Sequence, residues 1–373
     1  MIKSILIVGP NRLTGGIPRF VVNLLGANIG YDMSSFNTAR PSKPDTSKGA
    51  VGYHTLFAAG IPWMIRNVAI TGWNILRFPL VLGFSNAMIV HITTSSHWSF
   101  WESSIYLIIS KFFGYRAILH FLSDFQGFYG SARNLEKKLI QRVFKTADRV
   151  FVLSDSVRQI VASFKENREI VVLPSSVDID GCSQYGTRKT KESNKITILF
   201  MGGNYGVRKG IHDLSVAIPR IAAECDSVEF WLCGGDDVQQ AYSQLDDNFK
   251  NTVKYFGWVD EAQKQDLLSS ASIYTLPSYS EGMPYGIIEA MAYGLPIVAS
   301  NVGSIPEVVS NNKNGLLVSP GDIDSLVDSI VTLVRNPTML HRIGKANIEE
   351  ASNRYSSCKI FRTIKATYDE LLK

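Results

Sequence analysis

Short apolar runs alternate with amphipathic segments along most of the chain, and this pattern predicts strands that alternate with helices. In the first half, apolar runs predict buried strands at 4–8, 88–92, 116–121, 149–153 and 170–173. Amphipathic segments between them predict helices at 17–25, 99–113 and 134–146. Residues 31–55 are polar and rich in Pro and Ser, and their pattern predicts no element. Such alternation is typical of an α/β fold with a parallel sheet.

The polar run 180–194 has no apolar period and divides the pattern into two blocks. The second block restarts with a predicted strand at 196–201 and continues the alternation to about residue 350. Two such blocks predict two doubly wound, Rossmann-like domains. We place the first over residues 1–180 and the second over residues 195–356, with 180–194 as the linker.

Residues 56–90 are unusually apolar and contain only two charged side chains, Arg66 and Arg77. Their aromatic residues include Trp63, Trp73, Phe78 and Phe84. The stretch never reaches 18 uninterrupted apolar residues, so we expect no membrane span. Two interpretations stay open: one or two core helices, or a helix that lies on a membrane surface with aromatic and Arg anchors.

Charge is unevenly divided along the chain of 373 residues. Residues 1–180 carry 19 Lys and Arg against 11 Asp and Glu, a net charge of +8. Residues 181–373 carry 19 against 22, a net charge of −3. The basic residues around the predicted helix 134–146 are Arg133, Lys137, Lys138, Arg142 and Lys145. We expect the first half to meet something anionic, although a solvated helix face explains this basic cluster as well as attraction to anionic lipid does.

Composition and cysteine usage bound the class of protein. A hydrophobic content of 45% and a charged content of 19% indicate a globular chain without a disordered composition. Cys182, Cys225, Cys233 and Cys358 have neither C-x-x-C spacing nor a His partner, so we expect buried free thiols in a reducing compartment. The apolar run at 1–10 is too short for a signal peptide, and we expect a first strand in a cytoplasmic chain.

The most informative segment is SEGMPYGIIEAMAYGLPIVAS at 280–300, in which seven residues separate Glu281 from Glu289. Pro284 suits the first turn of a helix, and Gly294 suits its end. The pattern therefore predicts Glu281 in a loop and Glu289 inside the helix that follows. A helix N-terminus between them suits an anion, and carboxylates accept hydrogen bonds from sugar hydroxyls. The segment thus predicts a site for a sugar attached to a phosphate.

This segment, with GSIPEVV before residue 310 and NGLLV at 314–318, resembles the E-x7-E signature of the retaining glycosyltransferases of the GT-B fold, family four (glycosyl transferases group 1). The resemblance is strongest over 196–320 and implies two Rossmann-like domains that face each other across a cleft. It also implies that the last helix, at about 357–373, packs back on the first domain. In this family the first Glu contacts the donor sugar and the second binds the ribose, which assigns these roles to Glu281 and Glu289. The backbone between them would face the sugar and the pyrophosphate, at Gly282, Met283, Pro284, Tyr285 and Gly286.

A Gly-rich turn follows the first strand of the second half, in the run MGGNYGVRKGIHDL at 201–214. Adaptable backbone, cations and the start of a helix are what a diphosphate requires. The pattern G-x-x-x-x-G-K-[ST] is absent, so this is not a P-loop. The resemblance implies that Lys209 faces the donor pyrophosphate. Asn204 follows Gly203 where the family has an Arg, and we expect Arg208 to supply the second cation.

In the first half, the resemblance implies that the loop with Gly15 and Gly16 approaches the donor phosphate or the acceptor. His120 ends a predicted strand, where ligands bind in open α/β sheets. It matches by order the family His directed at the reacting sugar. The candidate contacts to the acceptor are Asp124, His91 and His97.

The segment 256–278 resembles the family segment around the nucleobase and places Trp258 and Val259 near the base. Asp236 and Asp237 do not form the D-x-D motif of metal-dependent transferases, and no set of residues has metal-ligand spacing. We therefore expect no metal and no cofactor apart from the nucleotide sugar donor.

The sequence predicts transfer of a hexose-type sugar from a nucleotide diphosphate sugar to an acceptor hydroxyl, with retention as the resemblance implies. Lys209, Arg208 and the helix start would stabilise the leaving diphosphate, and no side chain is assigned as nucleophile. We expect a lipid-linked glycan as acceptor, in polysaccharide or O-antigen synthesis, on the inner face of the cytoplasmic membrane, and no nucleic-acid partner. Alternatives are an epimerase-like GT-B enzyme and a non-catalytic sugar-nucleotide-binding subunit of a glycan-assembly complex.

Overall fold

The computed structural model of the protein describes residues 3–11, 15–40, 61–179, 195–203 and 205–373, and only the backbone of 61–64. The predicted linker 180–194, Asn204 and Cys182 lie outside the described residues. The chain divides into two compact units. Unit 1 comprises Met1–Pro174 and Lys359–Lys373, and unit 2 comprises Ser175–Cys358. The prediction had placed the corresponding boundaries at residues 180 and 357.

Unit 1 is built on a six-stranded parallel sheet in the order β2-β1-β3-β4-β5-β6. Its strands are β1 (Ser4–Gly9), β2 (Asp32–Asn37), β3 (Ala87–Thr94), β4 (Arg116–Phe121), β5 (Arg149–Val152) and β6 (Ile170–Val172). Its helices are α1 (Gly16–Gly26), α2 (Ile61–Phe84), α3 (Trp98–Phe112), α4 (Phe125–Ser131), α5 (Asn134–Thr146), α6 (Asp155–Ala162) and α15 (Ser357–Leu371).

Alternate residues of these strands face two separate hydrophobic cores, as period-two side-chain geometry requires. Ile5 and Ile7 face the core under α1 and the C-terminal helix α15. Leu6 and Val8 face the opposite core, which includes side chains of α2, α3 and α5. The described part of the first half is therefore a sheet covered by helices on both sides, as predicted.

Unit 2 has a six-stranded parallel sheet in the order β12-β11-β10-β7-β8-β9. Its strands are β7 (Ile196–Gly203), β8 (Val228–Gly234), β9 (Val253–Gly257), β10 (Ile273–Leu276), β11 (Ile297–Ser300) and β12 (Gly315–Val318). Its helices are α7 (Ile211–Glu224), α8 (Asp236–Ser243), α9 (Asp247–Lys250), α10 (Glu261–Ser270), α11 (Tyr285–Ala292), α12 (Ile305–Val308), α13 (Ile323–Val334) and α14 (Pro337–Arg354). This is the doubly wound strand order, which confirms the predicted fold class.

Three details differ from the sequence predictions. The unassigned polar region contains an edge strand, β2, with the sequence DMSSFN. Cys358 is exposed, whereas all free thiols were expected to be buried. Pro284 is the residue before α11 and has extended backbone angles, so it lies one position earlier than the predicted first turn.

Among the described residues, no helix combines the length and the apolar character needed to cross a membrane. Residues 56–60 of the apolar stretch 56–90 lie outside the described residues, and residues 61–84 form the single 24-residue helix α2.

Candidate functional site

The predicted site in unit 2 lies where the strand order of the sheet reverses. Strands β7 and β10 are neighbours, and the helices that follow them, α7 and α11, lead to β8 and β11 on opposite sides of this pair. The turn after β7 carries Arg208 and Lys209, and the loop after β10 carries Glu281. Because parallel strands end at the same edge, this reversal is the usual place for a ligand in such sheets.

The Gly-rich turn packs directly against the loop that follows β10. Gly203 has a φ of 59° and Gly210 a φ of 81°, which are left-handed values that favour glycine. A Cβ on Gly210 would lie 1.9 Å from the carbonyl oxygen of Pro277. The backbone NH of Tyr279 also donates to the Arg208 carbonyl oxygen at 2.9 Å. The glycines therefore bring the cationic turn close to the loop of Glu281.

Lys209 and Glu281 form an ion pair between these two loops. The Lys209 Nζ lies 2.8 Å from Glu281 Oε1, and the Ser278 hydroxyl donates to the same oxygen at 3.0 Å. The Lys209 side chain is 18% exposed and that of Glu281 is 7% exposed. Both hydrogen bonds reach Oε1, and within the described part of the chain Oε2 accepts none. That second oxygen can accept a hydrogen bond from a ligand hydroxyl.

The backbone around Glu281 is fixed by close neighbours. Gly303 has a φ of 54°, and a Cβ there would lie 1.7 Å from the Glu281 carbonyl oxygen. The backbone NH of Ser304 donates to the Gly282 carbonyl oxygen at 3.0 Å. The Ser175 hydroxyl donates to the Met283 carbonyl oxygen at 3.1 Å. The loop from Glu281 to Met283 is thus held on both sides, which preorganises the carboxylate.

Helix α11 begins just after this loop, and no side chain in the described structure caps its N-terminus. Its apolar face is buried through Ile287, Ile288 and Met291, as predicted. Gly286 in its first turn lies against the Tyr274 side chain, because a Cβ there would be 2.4 Å from the Tyr274 hydroxyl oxygen. A helix start without a side-chain cap is a suitable place for an anionic group.

Glu289 lies inside α11 and pairs with Lys264 of α10. The Lys264 Nζ lies 2.6 Å from Glu289 Oε1 and 2.9 Å from Glu261 Oε2. The side chains of Lys264 and Glu289 are 15% and 6% exposed. Sequence reasoning missed Lys264, since its only sequence signal is its place in the segment that resembles the nucleobase region. Each of the two carboxylates therefore has its own lysine.

The phenol of Tyr274 links the two carboxylates electrostatically. Burial raises the pKa of Tyr274 well above its usual value, and the carboxylates of Glu289 and Glu281 raise it further. Both carboxylates therefore act on one buried, neutral hydroxyl. The Tyr274 hydroxyl lies against Gly286, in the segment that joins the two carboxylates.

The other predicted donor contacts in unit 2 lie around this centre. The Arg208 guanidinium stacks on Tyr205, with its carbon 4.9 Å from the ring centroid, and donates to the Ser280 carbonyl oxygen at 3.4 Å. Arg208 and Lys209 thus reach adjacent residues of the same loop. Trp258 and Val259 follow the end of β9, where Trp258 is exposed and Val259 half-buried.

Two histidines of unit 1 form a buried pair beneath helix α15. His91 Nδ1 lies 2.6 Å from the Tyr368 hydroxyl, and His91 Nε2 lies 3.2 Å from His120 Nδ1. Burial lowers the pKa of His91 to about 3. Burial lowers the pKa of His120 as well, with a contribution from His91. Both ring nitrogens of His91 are therefore engaged inside the core, and its contact with an acceptor stays a prediction.

His120 is also buried, with the Phe20 ring 4.7 Å away edge to face. Its Nε2 has no hydrogen-bond partner among the described residues. The contact of His120 with a sugar stays a prediction. The structure gives it a buried position at the end of β4, with one nitrogen uncommitted in the parts of unit 1 that are described.

The remaining candidates of unit 1 follow the ends of its strands. Asp124 accepts from the Gly127 backbone NH at 2.9 Å and caps helix α4, which is a structural role. His97 is exposed, precedes α3 and has a φ of 59°, an unusual value for a residue other than glycine. Gly15 has a φ of 132° and precedes α1, whose first residue is Gly16. Their contacts with ligands stay predictions.

In the described ranges, no group of three or more His, Cys, Asp or Glu side chains is arranged to hold a metal ion. Asp237 accepts from the Val207 backbone NH at 3.4 Å, so it contacts the Gly-rich turn. The prediction that no metal is required stays a prediction.

Comparison with solved structures identifies the fold. The chain superposes on sucrose-phosphate synthase from Thermosynechococcus elongatus with a TM-score of 0.76 and 19% identity, covering 99% of both chains. At that identity the likeness shows the fold alone, which is GT-B.

The family follows from the sequence of unit 2. Residues 195–336 match the family model of the glycosyl transferases group 1, which confirms the predicted resemblance over that part of the chain. A phosphatidyl-myo-inositol mannosyltransferase of Mycobacterium leprae is 31% identical over 203 residues, which cover 54% of this chain and 54% of that protein. A UDP-Gal:alpha-D-GlcNAc-diphosphoundecaprenol alpha-1,3-galactosyltransferase of Escherichia coli is 30% identical over 37% of this chain and 34% of that protein. The chain therefore matches about half or less of the length of these two relatives.

Proposed function

We propose that the chain is a retaining hexosyltransferase that takes its sugar from a nucleotide diphosphate sugar. The observation that carries the proposal is the pair of lysine-held carboxylates, Glu281 and Glu289, on either side of the uncapped start of α11. This arrangement offers hydroxyl acceptors at two points and positive charge between them. A nucleotide diphosphate sugar has the complementary order: a sugar, a diphosphate and a ribose.

The chemistry follows from that placement. The bond between the anomeric carbon and the diphosphate oxygen breaks, and a bond to the acceptor oxygen forms on the same face of the sugar. The acceptor proton passes to an oxygen of the departing diphosphate. Lys209, Arg208 and the start of α11 stabilise the negative charge that develops on the diphosphate. Glu281 orients the sugar through Oε2, and Glu289 holds the ribose.

For the acceptor, we propose a lipid-linked glycan at the inner face of the cytoplasmic membrane, in cell-surface polysaccharide or O-antigen synthesis. One relative is named for a phosphatidyl-inositol acceptor and the other for a diphosphoundecaprenol acceptor, and both names describe lipids with phosphate groups. The net charge of +8 over residues 1–180 supports a negatively charged partner for the first unit.

A thermal-shift screen of UDP-, GDP- and ADP-sugars tests the donor class, because a ligand that binds only the native state raises its stability by mass action. We expect the sugars of one nucleotide to raise the midpoint temperature of unfolding.

Glu281→Ala should abolish sugar transfer, whereas Glu349→Ala, at an exposed position on α14, should leave it intact. If none of the donors stabilises the protein, the proposal is wrong. Conversion of the donor without an acceptor would indicate the epimerase-like alternative, and donor binding without turnover would indicate the non-catalytic subunit.

A further inference from the structure

Helix α2 presents large apolar side chains to solvent. Trp73 is 65% exposed, Leu76 73%, Leu80 64% and Phe84 89%. Spacings of three and four residues place these side chains along one face of the helix. An exposed apolar stripe of this kind marks a surface that binds another protein or a membrane.

Two polar side chains of α2 point the other way, into the unit. Thr71 and Asn74 are buried. Thr71 accepts from Arg40 Nε at 3.1 Å, and Arg40 also pairs with the buried carboxylate of Glu102. Tyr106 donates to Glu102 at 3.0 Å. Helix α2 therefore buries Thr71 and Asn74 together with Phe78 and Leu82, and its outer face is apolar, unlike the outer face of a helix that meets water.

Helix α3 extends the exposed apolar surface. Ile108 is 54% exposed, Phe112 84% and Phe113, just after the helix, 51%. The Tyr115 hydroxyl donates to the Leu82 carbonyl oxygen at 2.7 Å, which ties the end of α3 to the end of α2. We refer to these exposed side chains, Trp73, Leu76, Leu80 and Phe84 with Ile108, Phe112 and Phe113, as the apolar belt.

The charge around the belt is positive. Between residues 61 and 113 the sequence contains one carboxylate, Glu102, which is buried and paired. Arg66 is exposed and Arg77 half-buried along α2. Helices α2 and α3 thus combine large apolar side chains with arginines and carry no exposed carboxylate, which is complementary to an anionic lipid bilayer.

Arg77 is placed to meet a lipid phosphate. Its guanidinium stacks on the Phe36 ring at 4.8 Å, and within the described structure its buried Nε has no hydrogen-bond partner. It lines a cavity of about 450 Å³ at the edge of the belt. The same cavity is lined by Leu80 and Phe84 of the belt and by the polar residues Ser34 and Ser35. A cation, hydroxyl-bearing residues and apolar walls at one site match a phosphate attached to a hydrocarbon chain.

We propose that the apolar belt docks on the surface of an anionic lipid bilayer, with its side chains among the acyl chains and Arg77 at a lipid phosphate. This deepens the proposed function, on whose lipid-linked acceptor it rests, by naming the surface that brings the enzyme to that acceptor. A second copy of the chain could also cover apolar side chains, but it would bring the same arginines to the interface and no matching carboxylates from α2 and α3.

The test uses the full chain in cosedimentation with vesicles of phosphatidylcholine, alone or mixed with phosphatidylglycerol, at low and high salt. We expect binding to the mixed vesicles at low salt. Leu80→Ser/Phe84→Ser and Phe112→Ser/Phe113→Ser should each reduce the bound-to-free ratio about tenfold or more. Arg77→Gln should reduce binding to the mixed vesicles and leave the weaker binding to phosphatidylcholine alone unchanged.

Val216→Ser is the matched control, since Val216 is 53% exposed but lies in unit 2. It should bind vesicles like the unmodified chain. Vesicle binding that survives both double substitutions overturns the proposal. The proposal is also overturned if the chain forms dimers that the same substitutions dissociate and does not bind vesicles. The thermal shift by nucleotide sugars is measured on every variant, and it should not change. Failure of the proposed donor site is therefore seen separately from failure of the docking surface.

Discussion

At the scale of single residues, the two carboxylates of the E-x7-E segment are held by lysines from two other elements. Lys209 comes from the turn after β7, and Lys264 comes from α10. The loop position of Glu281 and the helix position of Glu289 could be predicted from the sequence. Lys264 could not, because it lies 25 positions before Glu289 and only the fold of unit 2 brings the two side chains together.

The Lys264–Glu289 pair gives a prediction that separates stability from binding. Lys264→Met leaves the buried Glu289 carboxylate without its lysine, and we expect a loss of about 3 kcal/mol in the free energy of unfolding. The double variant Lys264→Met/Glu289→Leu removes both charges and should recover most of that stability. It should not recover the thermal shift by a nucleotide sugar, because the carboxylate that we propose to bind the ribose is gone. Urea unfolding with and without donor measures both quantities.

A double variant as unstable as Lys264→Met alone would contradict the ion-pair explanation. Lys313→Met is a suitable control, since Lys313 pairs with Glu350 at 3.0 Å but its side chain is 60% exposed. We expect this substitution to change the free energy of unfolding by about 1 kcal/mol or less.

At the scale of elements, helix α11 must approach strand β10 closely for the site to form. Gly286 permits this approach, because the Tyr274 hydroxyl occupies the space that a Cβ would need. Gly286→Ala should therefore destabilise the protein by about 1–3 kcal/mol through overpacking. Tyr274→Phe removes the obstructing oxygen, so adding it to Gly286→Ala should restore part of that loss, which thermal unfolding measures.

The control for this pair is Gly72→Ala in the interior of α2, where an added Cβ meets nothing within 4 Å. It should stabilise the protein by about 0.5–1 kcal/mol, since alanine has the better helix propensity. If Gly286→Ala is equally harmless, or if Tyr274→Phe gives no rescue, the close approach is not what requires glycine at this position.

Strands β3 and β4, which helix α15 covers, each carry a buried histidine. These histidines predict how the free energy of unfolding depends on pH. The pKa of His91 is lowered to about 3 in the folded state, and the pKa of His120 is also lowered. In the unfolded chain both take up protons near their ordinary pKa of about 6.5. The unfolded state therefore binds more protons below that pH. The contribution of the two histidines to the free energy of unfolding should be fully present above that pH and should fall as the pH decreases toward 3.

Each buried histidine should contribute a slope of up to about 1.4 kcal/mol per pH unit below pH 6. Urea unfolding at several pH values between about 7.5 and 4.5 measures this slope, because the range begins above the unfolded-state pKa of about 6.5 and extends below it. His120→Gln should reduce the slope even if it lowers the overall stability, whereas His341→Gln, at an exposed position, should leave it unchanged. A slope that His120→Gln does not alter would show that other groups cause the acid sensitivity.

Element prediction from sequence succeeded where the apolar period was strong and failed where it was weak. The run at 116–121 and the segment at 134–146 have the bounds of β4 and α5, because their apolar positions face a buried core. Strand β2 was missed because it is an edge strand in which only Phe36 is buried, so its sequence looks like a loop. The pattern of α2 left two interpretations open, since apolar residues occur on both its buried and its exposed faces.

At the scale of the whole molecule, the chain crosses between its two units twice, at Pro174–Ser175 and at Cys358–Lys359. The second crossing returns α15 to the sheet of unit 1. Its residues Ile360, Ile364 and Tyr368 are buried in the core that contains Ile5 and Ile7. The folding of unit 1 therefore depends on a segment about 180 residues away in sequence, whereas unit 2 is formed from one continuous stretch.

A chain truncated after Cys358 should consequently lose the stability of unit 1 and keep that of unit 2. Removing α15 exposes the apolar face of α1 and of the sheet, and each large side chain that leaves the core costs about 1.5–3 kcal/mol. We expect faster hydrogen exchange in β1, β3 and β4, while a nucleotide sugar still slows exchange around Glu281 and Glu289. Truncation after Leu371 removes only the two residues beyond α15 and should leave both units protected. If the shorter chain keeps unit 1 protected, then the first sheet and its other helices fold without the returning helix, and the two crossings join units that are independent of each other.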